Sequence, residues 1–85
     1  MHKKMKNLNF TVYSKDGCPY CTKVTRVLEL CELKHVVYKL NVDFNRSEFY
    51  QKFGVGSTFP QVIFGEEHLG GCTETMAFLK ENKMV

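Results

Sequence analysis

Two thiols stand three residues apart in Asp16-Gly17-Cys18-Pro19-Tyr20-Cys21, between an alternating run, Leu8-Asn9-Phe10-Thr11-Val12-Tyr13-Ser14, and a helically patterned one from Thr22 to Leu33. Such a pair can be a structural disulfide, half of a metal site, or a redox couple that opens and closes in turnover. A structural zinc site wants a second Cys-x-x-Cys or a Cys/His pair at set spacing. His2, His35 and His68 keep no such spacing from a cysteine, so no metal is expected and all three histidines are read as surface residues. The redox reading fits the position, because only a thiolate is nucleophilic and the N-terminal end of a helix favours negative charge. Cys18 is therefore the expected nucleophile, with Lys15 and Lys23 nearby in sequence to favour its charged form. Cys21, one turn further in and on the same side, is the expected resolving thiol.

The flanking elements must hold this pair at a strand-to-helix junction. Leu8, Phe10 and Val12 alternate with Asn9, Thr11 and Tyr13 at strand period. From Pro19, a residue suited to a first helical position, the period changes: Val24, Val27, Leu28 and Cys31 form a helical stripe. The run 35–42 then reads as a second strand, with Val36, Tyr38, Leu40 and Val42 on one face, and the strand-helix-strand order predicts a parallel crossover. Asn45 and Glu48 have the spacing of a capping box, opening a helix whose inner face carries Phe49 and Phe53 and which Gly54 and Gly56 end. Pro60 can only begin the next strand, which alternates Gln61 and Ile63 with Val62 and Phe64. A short edge strand follows in 65–71, closed by a bend at Gly70-Gly71, and a last helix turns Met76, Leu79 and the stem of Lys80 inward. The predicted order is βαβαββα.

At 85 residues, with 44% apolar and 25% charged side chains, the chain has the composition of one globular domain, 1–85, with residues 1–6 as a basic tail. No apolar run approaches the ~20 residues of a membrane span. The basic start leads into no apolar secretion segment, which points to the cytoplasm and to reduced thiols outside the working pair. Eight Lys or Arg against three acids in 1–41, and four against six in 42–85, give the net charge of +3. These cations are scattered without aromatic interleaving, so a nucleic-acid partner is not expected. Nothing demands more than a monomer.

Three separated motifs carry a resemblance: Tyr13 to Cys21, Thr58 to Phe64 (Thr-Phe-Pro-Gln-Val-Ile-Phe), and Gly70-Gly71-Cys72-Thr73-Glu74. In this order and spacing the chain resembles a dithiol glutaredoxin, a glutathione-dependent member of the thioredoxin-fold superfamily, from about Asn7 to Asn82. The resemblance implies a four-stranded mixed sheet with three flanking helices and a cis bond before Pro60. It implies a thiol–disulfide oxidoreductase that reduces protein disulfides and protein–glutathione mixed disulfides, with glutathione as co-substrate. The family often serves ribonucleotide reductase, which makes that enzyme a candidate protein partner.

Residue by residue, the resemblance implies Cys18 and Cys21 as catalytic. Lys15 would pair with the glycyl carboxylate of glutathione, and Arg46, with Ser47 behind it, is the choice for the second contact there. Thr58 and the backbone of Phe59, ahead of Pro60, would pair with the cysteinyl part. Cys72 and Thr73 would take the γ-glutamyl carboxylate at a helix start, and Glu74 its amine. Tyr20 would offer an exposed ring to substrates. Phe59 stands where the family usually has valine, and the segment 53–60 is one residue longer than the usual spacing. Cys31 is read as an inert core thiol, and Cys72 as a groove residue acting through its backbone. Two other readings remain. One is a thioredoxin-like electron carrier reduced by a flavoprotein reductase, against which Lys15 and the Gly70–Glu74 motif argue. The other is an iron–sulfur cluster-binding glutaredoxin, against which Pro19 argues.

Overall fold

The computed structural model describes residues 8–85, so the expected basic tail lies outside the described residues. Strands β1 (Phe10–Ser14), β2 (His35–Lys39), β3 (Gln61–Phe64) and β4 (Glu67–Gly70) alternate with helices α1 (Pro19–Leu30), α2 (Arg46–Phe53) and α3 (Cys72–Glu81) in the predicted βαβαββα order. The sheet runs β2-β1-β3-β4. β1 pairs parallel with β2 and antiparallel with β3, and β3 pairs antiparallel with β4.

The period of β1 dictates its two faces. Phe10, Val12 and Ser14 are buried, while Thr11 and Tyr13 on the opposite face are half-buried. On the first face Phe10, Val12, Val62 and Phe64 meet Val24 and Leu28 of α1 and Leu79 of α3 in one cluster. Full burial of each such side chain contributes roughly 1.5–3 kcal/mol. The second face is aromatic: the Tyr13 ring lies 5.2 Å from Phe44 and 5.0 Å from Phe53, and Phe49 of α2 is 1% exposed.

The local signals at the helix ends hold. Pro19 opens α1, and α1 stops where Glu32 enters the left-handed region (φ 56°) and Leu33 N–H returns to the Leu28 carbonyl. Asn45 Oδ1 accepts Glu48 N–H and Glu48 Oε1 accepts Asn45 N–H, each at 2.8 Å, the reciprocal capping box opening α2.

Four expectations need correction. β2 stops at Lys39, because the turn that follows takes the Lys39 N–H onto Asp43 Oδ2 (2.9 Å), and Val42 is exposed in that turn. In β2 it is Val37 that packs on the core, whereas Val36 and Tyr38 are exposed. Cys31 is half-buried at the C-cap of α1 and lies outside the core cluster. In α3 Lys80 is exposed, and the buried positions are Thr75 and Leu79. Thr75 satisfies its hydroxyl by donating to the Gly71 carbonyl at 2.8 Å.

Candidate active site

The site grows from the start of α1. Gly17, in the left-handed region (φ 70°), turns the chain from β1 into Cys18, which is the N-cap of the helix. The cap position is usually an oxygen that accepts a backbone N–H. Here it is sulfur: Cys18 Sγ accepts the Cys21 N–H at 3.2 Å. That amide and the helix dipole both stabilise negative charge on Cys18.

Cys21 is held the other way. Burial pushes its thiol up from the ordinary 9.0 to about 12, a rise reinforced by its hydrogen bond with Cys18 and by the charge of Cys18, and opposed by the Lys15 backbone N–H and charge. Both cysteines are free, with 8% of Cys18 and 4% of Cys21 exposed. The pair is thus asymmetric: Cys18 Sγ receives a backbone N–H at the helix cap, whereas burial holds the proton on Cys21.

The second motif meets the first at Phe59, whose carbonyl oxygen lies 3.8 Å from Cys18 Sγ, and the bond from Phe59 to Pro60 is cis, as the resemblance implied. The bulky Phe59 ring folds onto α2, stacking on Phe49 with centroids 4.1 Å apart and planes 9° apart. Lys15 Nζ stands 5.4 Å and Arg46 Cζ 6.0 Å from its centroid, so one ring is the common neighbour of both cations.

The third motif closes the arrangement. A groove of about 190 Å³ is lined by Tyr20, the Thr58–Pro60 segment and the Gly71–Glu74 start of α3. Tyr20 is 62% exposed beside it. Cys72 is half-buried and Thr73 exposed at the first turn of α3, and Glu74 Oε1 accepts the Gly71 N–H at 2.9 Å. Gly70 is required, because it sits at φ 118° and a Cβ there would stand 2.9 Å from Glu74 Cγ. Cys18, Cys21, Lys15, Tyr20 and Arg46 therefore gather with Cys72, Thr73 and Glu74 around Thr58–Pro60 and the head of α1, whereas among the described residues no contact brings Lys23 or Ser47 to the site.

Sequence reasoning gave Gln61 only a strand position and His68 only a place on the surface, and assigned neither a role at the site. Gln61 is 9% exposed and donates from Nε2 to the Thr58 carbonyl at 2.8 Å, while its Oε1 is 2.7 Å from His68 Nε2. The available signal was a polar side chain in the middle of an apolar strand, which must find partners if buried. Among the described residues no group of three or more His, Cys, Asp or Glu could hold a metal ion. No helix of the described residues is long and apolar enough to cross a membrane.

Comparison with known proteins agrees with this architecture. The Glutaredoxin family model matches residues 10–69. A glutaredoxin of Ricinus communis is 34% identical over 77 residues, spanning 87% of this chain and 76% of that protein. The buckwheat glutaredoxin–glutathione complex superposes with a TM-score of 0.74 at 25% identity, over 98% of this chain and 79% of that one. Reduced Escherichia coli glutaredoxin superposes with a TM-score of 0.76 at 23% identity, over 91% of this chain and 99% of that one, a likeness of fold. Matches of this extent and identity settle membership: the chain belongs to the glutaredoxin family of thiol–disulfide oxidoreductases.

Proposed function

We propose that this protein is a glutathione-dependent oxidoreductase that reduces protein disulfides and protein–glutathione mixed disulfides through Cys18 and Cys21. The observation that carries the reading is the 3.2 Å hydrogen bond from the Cys21 N–H to Cys18 Sγ at the head of α1. It supports Cys18 as the sulfur that attacks.

The Cys18 thiolate attacks the glutathione sulfur of a protein–glutathione mixed disulfide, forming the Cys18–glutathione disulfide and releasing the protein as thiolate. A second glutathione, as thiolate, then takes the first away as glutathione disulfide and returns Cys18 to its starting state. With a protein disulfide, Cys18 is left bonded to the substrate; Cys21 attacks Cys18, releasing the reduced protein and forming a Cys18–Cys21 disulfide, which two glutathiones reduce with release of glutathione disulfide. The order of events follows from what holds the Cys21 proton. While Cys18 is anionic, its charge and its hydrogen bond both raise the Cys21 thiol. Once Cys18 is in a mixed disulfide, both influences disappear, burial alone opposes ionisation, and the Lys15 N–H still favours it. Cys21 thus becomes a better nucleophile only once Cys18 is engaged, which is when it is needed.

Recognition of glutathione is assigned to the groove. Lys15 and Arg46 take the glycyl carboxylate, Thr58 and Phe59 the cysteinyl backbone, Cys72 and Thr73 the γ-glutamyl carboxylate at the α3 terminus, and Glu74 the amine. The relative solved from buckwheat with glutathione supports this reading. The protein partners are disulfide-bonded or glutathionylated proteins, with ribonucleotide reductase among the candidates, and the working compartment is the cytoplasm. The test is turnover of a glutathionylated peptide coupled to glutathione and glutathione reductase. Saturable turnover is expected, and regeneration by thioredoxin reductase alone would overturn the reading.

A further inference from the structure

The glutathione reading depends on the peptide planes of Thr58–Pro60, and a chain of three residues holds one of them. His68 Nε2 lies 2.7 Å from Gln61 Oε1, and Gln61 Nε2 donates to the Thr58 carbonyl at 2.8 Å. The direction of this chain is fixed by chemistry. A carbonyl only accepts, so Gln61 turns its NH₂ to Thr58 and its oxygen to His68, which must then carry a proton on Nε2. The neutral Nε2–H ring and the imidazolium both meet that demand. The ring is steadied by Phe53 at the end of α2, with centroids 5.0 Å apart.

The Thr58 carbonyl and the Phe59 N–H belong to one planar peptide unit and point in opposite directions across it. Fixing the carbonyl toward Gln61 therefore turns the Phe59 N–H to the opposite side. Among the described residues that N–H donates to no hydrogen-bond acceptor. Pro60, next in the chain, has no N–H to offer. The Phe59 N–H is thus the donor left for an occupant of the groove that Phe59 lines.

We propose that His68 is a positioning residue: through Gln61 it fixes the Thr58–Phe59 peptide plane and so aims the Phe59 N–H at the backbone of glutathione in the groove. This rests on the glutathione reading above and adds to it the device that sets the geometry of one contact.

The test compares His68→Phe, which keeps a ring against Phe53 but removes the donor, with His68→Gln, which restores a donor near the place of Nε2. His68 is exposed, so neither change disturbs the core. The readouts are KM for glutathione, kcat, the inhibition constant of S-methylglutathione, which binds without reacting, and the NMR signal of the Phe59 amide. In H68F the KM and inhibition constant rise about fivefold, the loss of one hydrogen bond of about 1 kcal/mol, while kcat stays within about twofold. H68Q restores both constants, and the Phe59 amide signal moves in H68F alone. Constants in H68F equal to those of the parent overturn the proposal. A parent protein that neither saturates with glutathione nor is inhibited by S-methylglutathione overturns the glutathione reading. The positioning device then stands or falls on whether H68F moves the Phe59 amide signal.

Discussion

Replacing Cys18 by alanine should awaken Cys21. In the parent, a thiol raised from 9.0 to about 12 holds about a thousandth of the thiolate of an ordinary one at neutral pH. Cys21 should therefore alkylate at least about a hundredfold more slowly than a simple thiol. Two of the three influences that raise it come from Cys18, its hydrogen bond and its charge, and both vanish in Cys18→Ala, whereas burial, the largest, remains. Cys21 labelling should then accelerate roughly tenfold yet stay below that of a simple thiol. The assay is a time course with iodoacetamide at about pH 7, resolved by peptide mapping and mass spectrometry, which also separates Cys31 and Cys72. In the parent the label appears first on Cys18. Equal labelling of Cys18 and Cys21 in the parent, or no acceleration in the variant, refutes the reasoning.

Lys15→Ala should raise KM for glutathione about fivefold with little change in kcat, as loss of one carboxylate contact worth about 1 kcal/mol would, measured by coupled turnover. Phe49→Ala removes a 1% exposed ring and the platform under Phe59, and should cost about 3–5 kcal/mol in urea unfolding while also raising KM. Because the folded Cys21 thiol titrates near 12 against 9.0 unfolded, the stability it contributes is complete below about pH 9 and is lost as pH rises toward 12. Urea midpoints between about pH 8 and pH 11 should fall less steeply in Cys21→Ala than in the parent.

Much of this fold could be read along the chain, for reasons visible in particular residues. The alternation through Phe10 and Val12, the proline at the first turn of α1 and the Asn45/Glu48 box are local signals, and local structure obeyed them. β2 was harder to read. Both faces of the sheet carry apolar residues, so alternation alone does not say that Val37 meets the core while Tyr38 faces the Tyr13 ring, 5.4 Å away. Lys80 was misplaced because one helix turn offers several inward candidates, and only packing selects Thr75 and Leu79. The thiols and the groove residues announced themselves by type and spacing. The stacking of Phe59 on Phe49 did not, since it joins a loop to a helix, and neither did the chain from His68 through Gln61 to Thr58. That chain depends on β3 and β4 turning back on each other, with Ile63 opposite His68. A strand pairing of that kind leaves only a misplaced polar residue, Gln61, as its trace in the sequence.

The central claim is that one sulfur, Cys18 at the cap of α1, does the attacking, and that Cys21 is needed only to resolve protein disulfides. Cys21→Ser, treated with glutathione disulfide and analysed by mass spectrometry of its peptides, tests it most directly. One glutathione per chain, located on Cys18 and removed by added glutathione, is the predicted result. Glutathione on Cys31 or Cys72 with Cys18 left free would contradict it.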